Sequence, residues 1–80
     1  MPYEYLVVLY PSQRRVKLND EVMGQTNAVI EIEGGEYDVS LGPPTNFAPG
    51  VQKIDLRNTS LFRPLTLSFA PAETEPGGES

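Results

Sequence analysis

Ala28-Val29-Ile30-Glu31-Ile32-Glu33-Gly34-Gly35-Glu36-Tyr37-Asp38-Val39-Ser40-Leu41 is the stretch that decides the fold class. Apolar and polar residues alternate on both sides of a double glycine, and alternation of period two marks a strand with one buried face. The favoured tight hairpin turns need positive φ, which glycine reaches without a Cβ clash, so the stretch predicts a β-hairpin over 28–41 centred on Gly34-Gly35. In that register Glu33 opposes Glu36, Ile32 opposes Tyr37, Glu31 opposes Asp38 and Ile30 opposes Val39. One face is then apolar, and the other carries the four carboxylates.

The flanking sequence continues the pattern. Tyr3 to Tyr10 is aromatic and β-branched on both faces and ends at Pro11, which reads as a strand buried on both sides or covered by a partner. Arg14 to Leu18 alternates, with Val16 and Leu18 on one face and Arg15 and Lys17 on the other. Asn19-Asp20-Glu21 is turn chemistry. Gly42 to Gly50 holds three prolines and two glycines and predicts a long, stiffened surface loop without regular structure. Val51 to Arg57 alternates again, Asn58-Thr59-Ser60 breaks it, and Leu65 to Phe69 forms a last strand after Pro64. No window has helical period. Six short strands with turn signals between them predict an all-β fold, a small antiparallel sandwich or partly open barrel over residues 1–70. Val7, Val16, Leu18, Ile30, Ile32, Tyr37, Val39, Leu41, Ile54, Leu56, Leu65, Leu67 and Phe69 are the expected core. Residues 71–80 have no apolar side chain larger than alanine and are expected to form a disordered acidic tail.

With 80 residues the chain is one domain near the lower size limit for a single core. It contains no cysteine and no histidine, which removes disulfides, thiolate metal sites, the commonest zinc ligand and the usual general base. A net charge of −5 argues against nucleic acid, whose phosphates need lysine and arginine. Three of the eleven acids, Glu73, Glu75 and Glu79, sit in the tail, so the acidity belongs partly to that segment. Leu6-Val7-Val8-Leu9 is too short for a signal core, and no span approaches the roughly 20 apolar residues that cross a bilayer. Membrane insertion is not expected; a complete chain would stay in the cytoplasm, and one excised from a longer protein could belong to the cell envelope.

Arg15-Val16-Lys17-Leu18-Asn19-Asp20-Glu21-Val22-Met23-Gly24-Gln25-Thr26, followed by Val29 to Leu41, resembles the PEGA domain, a family of small bacterial β-sandwich modules. Gly24-Gln25-Thr26 and Glu33-Gly34-Gly35-Glu36-Tyr37 carry the likeness, which spans roughly residues 15–41. Asn27 and Ile32 stand where the family often has proline. The resemblance implies a non-catalytic binding or spacer role, with carbohydrate or cell-envelope material as the alternative ligand to a protein.

Several groups are candidate sites. Glu31, Glu33, Glu36 and Asp38, as cross-strand neighbours on one exposed face, could attract a hard cation or a basic partner. They could equally be neutralised by Arg15, Lys17 or Lys53 on adjacent strands. No cofactor or resident metal is expected. The serines have no histidine to activate them, and no Gly-x-Ser-x-Gly elbow occurs, so an enzyme is not expected. Phe47 near the middle of the Pro-rich loop, flanked by Pro44 and Pro49, is the expected anchor for a protein partner, because proline lowers the entropy a loop loses on docking. The alternative is that Phe47 folds back over the sandwich end. The Tyr3 to Tyr10 strand offers either a homodimer contact or a sugar-stacking face.

Overall fold

The computed structural model describes residues 3–72. All regular structure in it is β: β1 (Tyr3–Leu9), β2 (Arg15–Leu18), β3 (Glu21–Gln25), β4 (Val29–Glu33), β5 (Gly35–Leu41), β6 (Phe47–Ala48), β7 (Gln52–Leu56), β8 (Leu65–Ser68) and β9 (Ala70–Pro71). A three-stranded sheet in the order β4-β1-β8 faces a four-stranded sheet in the order β3-β2-β5-β7, and β6 pairs with β9 at one end. The two sheets enclose Leu6, Val8, Val16, Leu18, Ile30, Ile32, Val39, Leu41 and Leu56, all buried, with Tyr37, Ile54, Leu65 and Leu67 packed at the margin. The Gln52 side-chain amide donates to the Ser68 carbonyl at 2.8 Å, bridging β7 and β8, while Gly24 of β3 lies against Ile30 of β4. Both seams are thus drawn together by side-chain contacts, and the result is an open sandwich rather than a closed barrel.

The double glycine does not make a hairpin. β4 pairs antiparallel with β1 and β5 pairs with β2 and β7, so Gly34-Gly35 is an arch that carries the chain from one sheet to the other. A Cβ on Gly34 would stand 3.0 Å from the Leu56 carbonyl oxygen and 3.1 Å from the Glu4 side chain, and Gly35 has a φ of +149°. The glycines are still required, for a close crossing rather than a tight reversal. Period-two alternation says which side of a strand is apolar, and Ile30 and Ile32 face Val39 and Leu41 equally well from across a core. The arch also separates Glu33 from Glu36 and Glu31 from Asp38, pairs that a hairpin would set in direct opposition.

The two-residue hairpin lies earlier, at Asn19-Asp20, with φ of 53° and 67°. Positive φ at both central positions is the type I′ signature that matches strand twist, and Asn and Asp tolerate it. The Asn19 N–H donates to the Asp38 carbonyl and its Oδ1 accepts the Asp38 N–H, both at 2.9 Å, which locks the turn to β5. β3 after this turn was not expected as a strand. Its register shifts by one residue between Val16 and Lys17, leaving Met23 as the bulged position, and that interruption hides it from an alternation test.

β1 differs from expectation as well. Only its inner face is buried, through Leu6 and Val8 and then Tyr10 just beyond the strand; Val7 is half-buried on the opposite face beside exposed Tyr3 and Leu9. The chain at Pro71 is also tied down, since β9 pairs with β6 in a loop expected to lack strands, and the Ala72 N–H donates to the Asn46 carbonyl at 2.9 Å. The expected acidic tail otherwise lies outside the described residues.

Candidate interaction sites

The four expected carboxylates do not form one site. Glu31 and Glu33 project from the outer face of the three-stranded sheet, and Glu36 and Asp38 from that of the four-stranded sheet, on opposite sides of the core. Asp38 pairs with Lys53 at 3.3 Å, directly across from it in β7, and both are largely exposed, so the pair adds little stability. Glu36 stands opposite Asp55, whose charge is held by Arg57. A shallow concavity lined by Asn19, Glu36, Tyr37, Asp38, Lys53 and Asp55 covers this face. Among the described residues no group of three acidic side chains converges as a metal ion would need.

Phe47 is buried, not displayed. Its ring meets Phe69 edge to face, with centroids 5.7 Å apart, and the Arg14 guanidinium lies over it at 5.6 Å and over Tyr10 at 5.4 Å. Arg14 also donates to the carbonyls of Gly42 and Pro44, each at 2.6 Å, and to Asn46 Oδ1 at 3.0 Å. One guanidinium therefore pins the Pro-rich loop to the sandwich end, using its fork of donors on carbonyls that would otherwise turn to water. Pro44 and Pro49 remain exposed on the rim. Thr26, the one buried polar side chain among the described residues, fixes Arg14 from behind: its hydroxyl accepts the Arg14 N–H at 2.8 Å and donates to the Ser12 carbonyl at 2.9 Å. Asn27, at φ 63°, completes this end by exchanging both amide bonds with the Tyr10 backbone.

The opposite end carries a tight turn that no alternating segment announces. Ser60 and Arg63 exchange both backbone hydrogen bonds, at 3.2 and 3.0 Å, around a two-residue tip. Leu61 and Phe62 form that tip, and they are 59% and 91% exposed. Its base is braced by Glu4, whose carboxylate accepts the Thr59 N–H at 2.8 Å and the Thr59 hydroxyl at 2.5 Å, while that hydroxyl accepts the Tyr5 N–H at 2.7 Å. The tip has a faint sequence signal. Leu61-Phe62 is an apolar pair between a polar turn and Arg63-Pro64, outside any alternating segment.

The Thr59 hydroxyl and backbone bonds hold the Glu4 carboxyl below the usual carboxylate value of 4.5. Because the folded value is depressed, the stabilisation is complete above pH 4.5 and is lost as pH falls through the folded value. Carboxyl titration by NMR is expected to show Glu4 protonating below the usual glutamate value, and Thr59→Val to raise it toward that value by removing the hydroxyl bond. A Glu4 that titrates normally in the unmodified chain would mean the brace does not form in solution.

A third surface is the outer face of the three-stranded sheet. The registers place Tyr3, Tyr5, Val7 and Leu9 of β1 between Val29, Glu31 and Glu33 of β4 and Thr66 and Ser68 of β8. Tyr3, Leu9 and Val29 are 54%, 41% and 49% exposed. Of the tyrosines weighed for sugar stacking, Tyr10 points inward and leaves this face. No family model, curated protein or solved structure shows a significant match to the chain.

Proposed function

We propose that this domain is a non-catalytic protein-interaction module that grips its partner through the turn at Ser60–Arg63, with Phe62 as the anchor. The supporting observation is a phenylalanine 91% exposed on a turn closed by two backbone hydrogen bonds and braced from β1. A turn already held in one geometry loses little conformational entropy on docking. An aromatic beside Leu61 and Arg63 has the make-up of an interface hot spot, in which one buried ring carries much of the binding energy. The Pro-rich loop is bound to its own domain through Arg14, and the acidic side chains are divided between two faces, so neither competes as the anchor.

The test is affinity capture with the wild-type domain and with Phe62→Ser. Phe62→Ser is expected to leave thermal melting unchanged, because the ring touches little of its own domain, and to cut retention of a specific partner at least about tenfold, the loss of one hot-spot side chain. Val22→Ala, which trims an exposed apolar side chain elsewhere, serves as the control. Equal retention by Phe62→Ser and wild type would remove the turn as the recognition element.

A further inference from the structure

We infer that the side of the sandwich between β7 and β8 is a strand-binding gap, which takes an extended segment of another protein with apolar side chains at alternate positions. This rests on the reading of the domain as an interaction module, though not on Phe62 as the anchor. The two seams between the sheets are filled unequally. On the β3–β4 side Ile30 and Ile32 are buried, and Gly24 lies directly against Ile30. On the β7–β8 side the inward residues Tyr37, Ile54, Leu65 and Leu67 are only half-buried, and among the described residues they are the core's partly covered members.

The backbone that faces this gap is unpaired as well. Asp38 bonds Asn19 through both its N–H and its C=O, on the β2 side, so Tyr37 and Val39 face β7 and bond their partners Ile54 and Gln52. Alternation then turns the N–H and C=O of Lys53 and Asp55 into the gap. Across it, the Phe69 N–H donates to the Leu9 carbonyl, so Leu65 and Leu67 face β1 and the N–H groups of Thr66 and Ser68 face the gap. All four of these residues are exposed. The Gln52 side-chain amide, on the Ser68 carbonyl, supplies there what the N–H of an adjacent strand would supply.

These groups define the occupant. Only an extended backbone offers a row of donors and acceptors at strand spacing, and alternate apolar side chains on it would cover Tyr37, Ile54, Leu65 and Leu67. Residues 73–80 bring no aliphatic or aromatic side chain, so the chain's own C-terminal segment does not fit. On the outer rim Lys53 is paired with Asp38 and Asp55 with Arg57, which suits uncharged polar residues between the apolar ones. At the end marked by Leu56 and Leu65 the gap reaches the connection that carries the Ser60–Arg63 turn, so a bound segment runs up to the proposed anchor.

The probe is a blocked peptide of alternating valine and threonine, with a lysine at each end for solubility, titrated to about 1 mM into the isotope-labelled full chain. The amides of Lys53, Asp55, Thr66 and Ser68 are expected to shift first, while those of β3 and β4 stay in place. N-methylation of every other peptide residue removes the donors to one edge and is expected to weaken binding at least about tenfold. Thr66→Pro deletes one N–H on an edge strand, where proline is tolerated, and is expected to weaken binding as much with melting little changed. Gln52→Ala, which frees the Ser68 carbonyl, is expected to tighten it. This peptide carries nothing for the turn, so Phe62→Ser leaves its binding unchanged, whereas in partner capture Thr66→Pro is expected to lose retention with Phe62 intact. No shift at the four amides, binding indifferent to N-methylation, or capture that depends on Phe62 but not on Thr66 would overturn the inference and leave the turn standing. A chain that dimerises alone and is dissociated by the peptide would give the gap to a second copy and overturn it too. Retention lost in Thr66→Pro but kept in Phe62→Ser would remove the anchor and support the gap.

Discussion

Gly24→Ala is expected to destabilise the domain by about 1–3 kcal/mol, the usual cost of forcing a methyl into a packed core. A Cβ on Gly24 would stand 2.7 Å from Ile30 Cγ1 and 2.8 Å from Cδ1. Ile30 is 5% exposed and enclosed by the core, so its side chain cannot swing into water to make room. The relief has to come from the backbone, and β3 is fixed there: Gly24 pairs with Val16 on one side of the bulge, and the Thr26 N–H donates to the Arg14 carbonyl two residues further on. The strain is therefore transmitted to the strand that holds the Arg14 end of the sandwich. Thermal melting of Gly24→Ala, Ile30→Val and the double variant makes the cause visible. Shortening Ile30 costs about 0.5–1.5 kcal/mol alone, yet in the double variant it removes one of the clashing atoms. The double variant is expected to lose less than the sum of the two, by at least about 0.5 kcal/mol. Strictly additive losses would show that the added methyl meets something other than Ile30.

What the sequence makes legible is the inward and outward phase of each strand. Val16 and Leu18, Ile30 and Ile32, Val39 and Leu41, and Leu56 all lie buried on the side that alternation assigns them. Phase is a local property, and two residues on either side suffice to read it. Adjacency is not local. The same phase serves whether β5 lies beside β4 or across the core from it, so the Gly34-Gly35 arch and a Gly34-Gly35 hairpin have identical patterns. The choice between them rests on Tyr3–Leu9, which sets Tyr3 and Tyr5 opposite Glu33 and Glu31 and so spares β4 the opposing carboxylates of a hairpin. The β-bulge at Met23 conceals β3 for a related reason, since one extra residue shifts the phase midway. The Pro-rich loop shows the third limit. Its composition speaks correctly for stiffness, but the burial of Phe47 depends on Arg14 and Phe69, each more than twenty residues away. Phe62 lies at the other extreme: nothing in its neighbourhood is periodic, and its exposure follows only from the exchange of hydrogen bonds between Ser60 and Arg63.

Arg14→Ala is expected to cost about 2 kcal/mol or more and to release the Pro-rich loop while the rest of the sandwich stays folded. The estimate follows from one part-buried hydrogen bond to a charged donor, worth about 1.5–3 kcal/mol, two exposed ones worth less, and cation–π contacts of about 0.5–1 kcal/mol at partly exposed sites. The donors reach Gly42, Pro44 and Asn46, and the cation–π partners are Tyr10 and Phe47, so one side chain joins β1, the loop and the β6–β9 pair. Its removal leaves three acceptors without their donor and uncovers one side of the Phe47 ring. Hydrogen exchange separates this from general loss of stability. The amides of Asn46 and Ala72, which donate to Pro44 and Asn46, are expected to lose protection first, while those linking β1 to β4 near Tyr3 keep theirs. Arg14→Lys is not expected to restore the loop, because an ammonium is a single point of charge and cannot satisfy two carbonyls and an amide while lying over two rings. Unchanged exchange at Asn46 and Ala72 in Arg14→Ala would mean that the loop is held by Phe47 and Phe69 alone, and that the guanidinium adds only what a surface charge adds.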